Sequence, residues 1–477
     1  MKKITTLFLG TIMLLAACKP GEFDDVNVDP TAVSQVPTKA LLTNVFNGAN
    51  GSFHSTVFGV NTPVFYAQHL SEGPYPAASL YGTRNFEWNV FYVGSLYNLK
   101  TIIDLNTSGS ALADPGINGS KDNQIAVARI IKAYFYWYLT DRFGDLPYSE
   151  ALKGDANFSP KYDPQKDIYY DLFKELKEAG AQIKVGEQGV TGDLLFGGDM
   201  AKWKKFAATT RLFMSLRLLK NDNAKAVTEF NSAVTDGVLA SNADNVIYKY
   251  LASDPKNYNP WYDNYSVSFR NDYAISTRMT DYMKPKSDPR LPVYAEVLGG
   301  DVKGLPYGGS AKNIPGTFSR IGTFHRAAGA PALVYSYAQV LFSMAEAAKK
   351  GVIAGGDAVA AVHYANGIKA SLEYYGVGSG YAAYMTQPGV AYNASTGLEQ
   401  IMTEKWIHLY LNGNESWTDW RRTGFPVLPV PTLAVNPTIP RRQGYPNSEP
   451  SINGASYKEA VARQGADDLN TRVWWDK

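Results

Sequence analysis

Between positions 124 and 140 the chain reads QIAVARIIKAYFYWYLT, apolar or aromatic around most of a helix's circumference and free of Gly and Pro. Hydrophobicity on all sides predicts a buried helix. Asp141 to Pro147 (DRFGDLP) closes it, Gly144 and then Pro147 supplying the stop signals. A second helical run, Ile168 to Ile183, follows a Pro-containing loop. Helical spacing of apolar positions recurs over Ala201 to Lys220 and Ala224 to Thr235, separated by the break Asn221-Asp222-Asn223. The same layout returns at Ala332 to Lys350 and Asp357 to Tyr374, around Gly351, Gly355 and Gly356. Helix pairs are therefore the predicted building unit. Gly376 to Gly380 (GVGSG) ends a helical run instead of following a strand, so it reads as a hinge or turn.

Ala338, Ala345, Ala361 and Ala365 stand at close-contact positions of these pairs, which are similar to tetratricopeptide repeats without matching a strict consensus. Stacking buries a stripe that a single pair leaves wet. The fold class that follows is mostly α, with tetratricopeptide-like pairs forming a superhelical scaffold and little β.

From Ser241 to Gly329 the pattern changes to dense Gly, Pro, Asn and Tyr with little helical period. Long loops in compact proteins usually carry function or are disordered, and Tyr258, Trp261, Tyr262, Tyr265 and Phe269 argue against disorder. A loop-rich ligand face is expected here. Tyr and Trp offer a rigid apolar face to the C–H side of a pyranose and a polar tip to its hydroxyls. The first candidate ligand residues are accordingly Tyr258, Asn259, Trp261, Tyr262, Asp263 and Tyr265 in a Pro-stiffened loop. Tyr75, Tyr81 and Arg84, near Pro74 and Pro76, form the second set. Trp88, with Phe91, Tyr92 and Leu96 at helical spacing, reads as core.

The N-terminus bears on compartment. Lys2 and Lys3 precede an apolar stretch, Ile4 to Leu15, and Ala16 and Ala17 precede Cys18. This reads as a secretory signal peptide over residues 1–17, too short for a membrane span of about 20 residues. Cys18 is the sole cysteine, which excludes an intramolecular disulfide. Leu15-Ala16-Ala17-Cys18 resembles a bacterial lipobox, which implies lipidation of Cys18. Residues 18–35 then read as a polar leash and 36–477 as one domain. Removing Lys2 and Lys3 leaves 44 basic against 44 acidic side chains. A neutral exported chain is a poor nucleic-acid binder.

Local motifs for catalysis are absent. His54, His69, His325, His363 and His408 lack the spacing of zinc sites, and no nucleophile elbow, phosphate loop or EF-hand pattern occurs. No cofactor or metal is expected. Glycosidases need only two carboxylates across a cleft, so Glu404, Glu415 and Asp419, near Trp406, Trp417 and Trp420, keep a helical glycosidase or lyase as an alternative. The competing reading pairs Glu415 and Asp419 with Arg421 and Arg422.

Several separated blocks resemble the SusD/RagB family of outer-membrane nutrient-binding lipoproteins, most closely its SusD-like second branch, over nearly the whole mature chain. They include Asn27 to Phe46, Ala126 to Leu152, Trp203 to Arg217, Asp288 to Pro292, Tyr337 to Gly351 and Ile401 to Pro426. Pro440 to Arg442, Tyr445 to Glu449 and Trp474 to Asp476 complete the set. Gln339 and Glu404 depart from residues common in the family. The resemblance implies a helical scaffold, no catalysis, a glycan or oligosaccharide ligand and a SusC-like TonB-dependent outer-membrane barrel over which the lipoprotein sits as a lid. It implies an outer-membrane location, lipid-anchored and facing the exterior. Peptide or glycopeptide capture of RagB type is the alternative within binding proteins. Asp141, Arg142, Arg421 and Arg422 read as buried pairs or caps, and the ligand residues are left to physical argument.

Overall fold

The computed structural model describes residues 35–48, 62–309 and 313–477. Cys18, the signal peptide and the leash up to residue 34 lie outside them. From Thr38 to Lys477 the chain forms one unit. Its helices are α1 (Thr38–Asn47), α2 (Tyr97–Ser108), α3 (Lys121–Phe143), α4 (Gln165–Gln182), α5 (Met200–Arg217) and α6 (Asn223–Asp236). There follow α7 (Tyr337–Lys349), α8 (Gly356–Tyr374), α9 (Gly397–His408), α10 (Gly413–Thr423) and α11 (Gly454–Gln464), with shorter helical turns between. Sequence neighbours pack on one another: α3 on α4, α5 on α6 and α7 on α8. The chain is mostly α, in tetratricopeptide-like pairs. No helix among the described residues is long and apolar enough to cross a membrane.

Every residue of α3 from Ala133 to Phe143 is buried, as its all-round hydrophobicity requires. The helix stops at Gly144, where φ is +85° and a Cβ would lie 1.7 Å from Gln464 Oε1. That oxygen accepts the Asp145 N–H at 2.8 Å, so glycine serves both the backbone conformation and the close approach.

Apart from isolated bridges such as Ala295 with Ile321, beta structure among the described residues is confined to two-stranded ribbons. β1 (Leu70–Glu72) pairs antiparallel with β5 (Tyr273–Ile275), β2 (Leu146–Pro147) with β3 (Tyr162–Asp163), and β4 (Val246–Tyr248) with β6 (Ala332–Tyr335). The last of these departs from the periodicity, which carried a helix back to Ala332. Ser336 ends the strand instead, its Oγ accepting the Gln339 N–H at 3.0 Å as the cap of α7. Residues 241–329 also hold more local structure than expected, with short helices at Pro260–Tyr262, Asp263–Val267, Thr277–Met283 and Thr323–Arg326.

The conspicuous charges of the signature blocks are interior. Arg217 Nη2 lies 3.0 Å from Glu415 Oε1, and Lys405 Nζ lies 2.8 Å from Asp419 Oδ2. Arg422 pairs with both Asp419 and Glu346. Arg142 donates to Gln443 Oε1 at 2.6 Å, and Arg421 donates to the Asp141 carbonyl at 2.7 Å while lying 3.6 Å from the Trp417 ring centroid. Gln339 donates to Glu415 Oε2 at 3.1 Å. A second buried group joins Arg290 to Asp288 and Glu404, each at 2.7 Å. Trp88, wholly buried, packs against Phe143, Tyr162 and Tyr445.

Candidate functional site

Asn259 organises the loop that was singled out for ligand contact. Its Oδ1 accepts the Trp261 N–H at 2.8 Å, and Pro260 fills the first helical position, so the chain turns helical instead of running as an open loop. Its Nδ2 donates to the Ala330 carbonyl at 2.7 Å and to the His325 carbonyl at 3.2 Å. One amide therefore ties the 259–267 segment to the Thr323–Arg326 turn.

The helical period divides the candidates. Asn259 and Trp261 turn inward, Trp261 meeting Tyr273 edge-on at 5.5 Å. The void beside them measures about 30 Å³, room for a water or two and not for a pyranose. These two residues are corrected to packing and capping roles. Tyr258 and Tyr262 are half-buried against each other at 5.0 Å, and Asp263 is exposed. Tyr265 reaches an open hollow.

That hollow, about 630 Å³, is lined by Tyr265, Phe269, Arg270, Asn271, Glu296, Phe318 and Arg320, with Ser266 and Gly316. Its size suits one or a few sugar rings. Phe269 is 86% exposed and holds φ at +51°. An exposed bulky ring in a left-handed conformation costs free energy twice, through hydration and through the backbone, and such residues cluster at functional sites. The Arg326 guanidinium lies 3.8 Å from the Tyr265 ring centroid and pairs with Glu296. Arg270 lies 5.4 Å from the Tyr75 ring centroid, with Nε 2.5 Å from Asp272 Oδ2. Tyr75, 66% exposed, thus flanks this face through Arg270. Two tyrosines are each covered on one side by an arginine that a carboxylate tethers.

Arg320 is buried at the hollow wall, donating through Nε to Asn271 Oδ1 and through Nη2 to the Ile314 carbonyl at 2.8 Å. Burial pulls its pKa below the ordinary arginine value. Its backbone carbonyl accepts the Glu296 N–H at 2.9 Å, which sets Glu296 and Arg320 on adjacent strands of chain. On β1, Glu72 is buried and accepts the Ser79 N–H at 2.6 Å; burial pushes its carboxyl up to about 7.

The other second-set residues are placed differently. Tyr81 is buried, its ring 5.7 Å from Tyr66 and its hydroxyl accepting from Gln68 at 3.1 Å, so it is corrected from ligand contact to core. Arg84 donates to the Asp467 carbonyl and is engaged there, not with Tyr75. The residues that sequence reasoning missed are Arg270, Glu296, Phe318, Arg320 and Arg326, and Phe269 was noticed only as one ring of the excursion. Phe269-Arg270 follows directly on the first candidate set, which was a usable signal; Phe318 and Arg320, some fifty positions on, join only in three dimensions.

The carboxylates considered for glycoside cleavage do not face this hollow. Glu404, Glu415 and Asp419 are buried in the ion pairs of the scaffold. Burial alone would raise Glu404, but Arg290 and Lys286 outweigh it and hold the carboxyl below its ordinary value. Among the described residues no group of three His, Cys, Asp or Glu could hold a metal ion. A separate open groove of about 450 Å³ runs past Tyr92, Val93, Tyr97, Phe158 and Ile452. Asn89, Lys153, Asp155, Asn157, Glu449 and Asn453 line it as well, so polar side chains stand beside its rings too.

Residues 30–446 match the SusD-like family described as "Starch-binding associating with outer membrane". A search of curated proteins finds no match. Among solved structures, one described as a chitin-binding protein is 30% identical, with 92% of this chain and 99% of that one covered and a TM-score of 0.77. A chitin-binding SusD homologue from Flavobacterium johnsoniae is 26% identical, covering 92% of this chain and 98% of that one, TM-score 0.73. A SusD homologue from Bacteroides fragilis is 25% identical, covering 93% and 100%, TM-score 0.77. With the helix-pair scaffold, the signature blocks and this match over most of its length, the chain belongs to the SusD-like family of starch-binding proteins that associate with the outer membrane.

Proposed function

We propose that this protein is a cell-surface lipoprotein, anchored through Cys18, that captures glycans without cleaving them and hands them to a TonB-dependent outer-membrane transporter. The observation that carries the capture reading is the hollow of Tyr265, Phe269 and Phe318, whose rings stand among arginine, asparagine and glutamate side chains. Rings supply face contact to the apolar side of a sugar, and the polar groups fix its orientation. Each hydrogen bond gained from water adds only about 1 kcal/mol, so the rings must provide much of the affinity. Membership in the family supports the anchor and the transporter partner. Two chitin-binding relatives make chitin oligosaccharides the first glycan to try.

A carrier that passes its cargo on needs a Kd between about 1 µM and about 1 mM. The test is titration of the full chain with a glycan panel that includes chitin, starch and a peptide arm, with reducing ends measured in parallel. Saturable retention of a glycan with no new reducing ends is expected. Turnover would overturn the non-catalytic reading, and binding of peptides alone would overturn the glycan reading.

A further inference from the structure

Three arginines belong to the candidate face, and they differ in how their charge is met. Arg270 is paired with Asp272 and Arg326 with Glu296. Arg320 has no carboxylate within salt-bridge distance among the described residues. Its partners are neutral: Asn271 Oδ1 and the carbonyls of Phe318, Ile314 and Pro315. They occupy four of the five N–H groups of a guanidinium, leaving one on Nη1.

A buried cation whose guanidinium touches no carboxylate is under-compensated, and supplying an anion there returns more than it would in water. Glu296, the one carboxylate lining the hollow, pairs through Oε1 with Arg326 while its Oε2 accepts the Arg320 backbone N–H at 3.4 Å, so one negative charge is shared between two arginines. Glu72, on the strand paired with Tyr273, is turned away onto the Ser79 amide. Arg270, its charge met by Asp272 through Nε, is 48% exposed and adds hydrogen-bond donors, not net charge, to this face. A ligand entering the hollow therefore meets an excess of positive charge fixed beside exposed rings.

We propose that the hollow prefers glycans bearing an anionic group, a carboxylate or a sulfate, and that Arg320 is the residue that selects for it. This rests on the glycan-capture reading. Four bonds to neutral partners hold the planar guanidinium in the hollow wall, so its charge and its one remaining donor are fixed in place, as suits a carboxylate or a sulfate oxygen.

Matched pairs of probes test this with the full chain: oligogalacturonate against the same oligosaccharide after carboxyl reduction, and a sulfated oligosaccharide against its desulfated form. The charged member of at least one pair should bind tenfold or more tighter than its neutral counterpart, with the gap narrowing at high salt, and the two pairs separate uronate from sulfate as the anion. R320Q should reduce that preference to less than twofold, while R320K should retain part of it. Equal binding of charged and neutral members by the unsubstituted protein would overturn the proposal, as would an undiminished preference in R320Q. The wild-type comparison needs no variant, so it decides the matter even where R320Q folds poorly. Binding of chitin oligosaccharides with no charge preference would sink this inference alone, whereas failure to bind any glycan would sink the capture reading with it.

Discussion

The Arg326 guanidinium carbon lies 3.8 Å from the ring centroid of Tyr265, and the same guanidinium is tethered by Glu296. The stack covers one face of a ring that lines the same hollow as Phe269. Tyr265→Ala and Phe269→Ala should each weaken glycan binding tenfold or more. Phe269 is largely exposed, so its change should move stability by no more than about 0.5 kcal/mol, whereas Tyr265, 37% exposed and stacked by Arg326, should cost up to about 1 kcal/mol. Titration calorimetry alongside urea unfolding reads the two effects separately; a large stability loss would assign these rings to packing.

Trp261 should behave in the opposite way. It is 4% exposed and packs on Tyr273, so Trp261→Ala should cost about 3–5 kcal/mol as a core truncation. Urea unfolding measures it. An unchanged midpoint with lost glycan retention would return Trp261 to the ligand surface.

The Arg290 group offers a test of the scaffold. Arg290→Met would leave Asp288 buried without its cation and Glu404 with only Lys286, 3.6 Å away. Removing one partner of a buried ion pair costs about 3–5 kcal/mol. The expected result is a large fall in the unfolding midpoint with no direct effect on the hollow. Substitution without loss of stability would show that the two carboxyls take up protons freely at neutral pH.

Glu72 gives the stability curve a pH dependence of definite sign. Its carboxyl rises from 4.5 to about 7 on folding, chiefly through burial, with Asp272 adding repulsion. The folded protein therefore holds a proton that the unfolded chain releases between those values. The stability this group contributes is full below pH 4.5 and lost as pH rises through 7. Glu72→Gln keeps an acceptor for the Ser79 N–H and removes the titration, so its advantage over the unsubstituted protein should grow across that window by up to about 1.4 kcal/mol per pH unit. Urea midpoints at several pH values check it; a constant difference between the two proteins would refute it.

Helices were legible because their period is local. The run from Gln124 to Thr140 announces its own burial, and α3 extends it by only a few residues at each end. The strand β6 was missed because Ala332 to Tyr335 fits either period, and pairing with β4 decided it. The hollow was half legible. Composition marked the excursion that supplies its lining, but Asn259 and Pro260 start a helix that turns Trp261 inward and leaves Tyr265 outside. No spacing rule joins Tyr265 to Phe318 or Arg320. Those neighbours are brought together by the bond from Glu296 to the Arg320 carbonyl and by the arginine's hold on Asn271.

The Asn259 amide has a kinetic consequence. By fastening the 259–267 segment to the turn that carries Arg326, it settles the shape of the receiving surface before any sugar arrives. Little chain ordering then accompanies docking, and little needs undoing on departure. Under the proposed capture role, how long a ligand stays is left to the contacts themselves, and the ready-made surface favours quick loading.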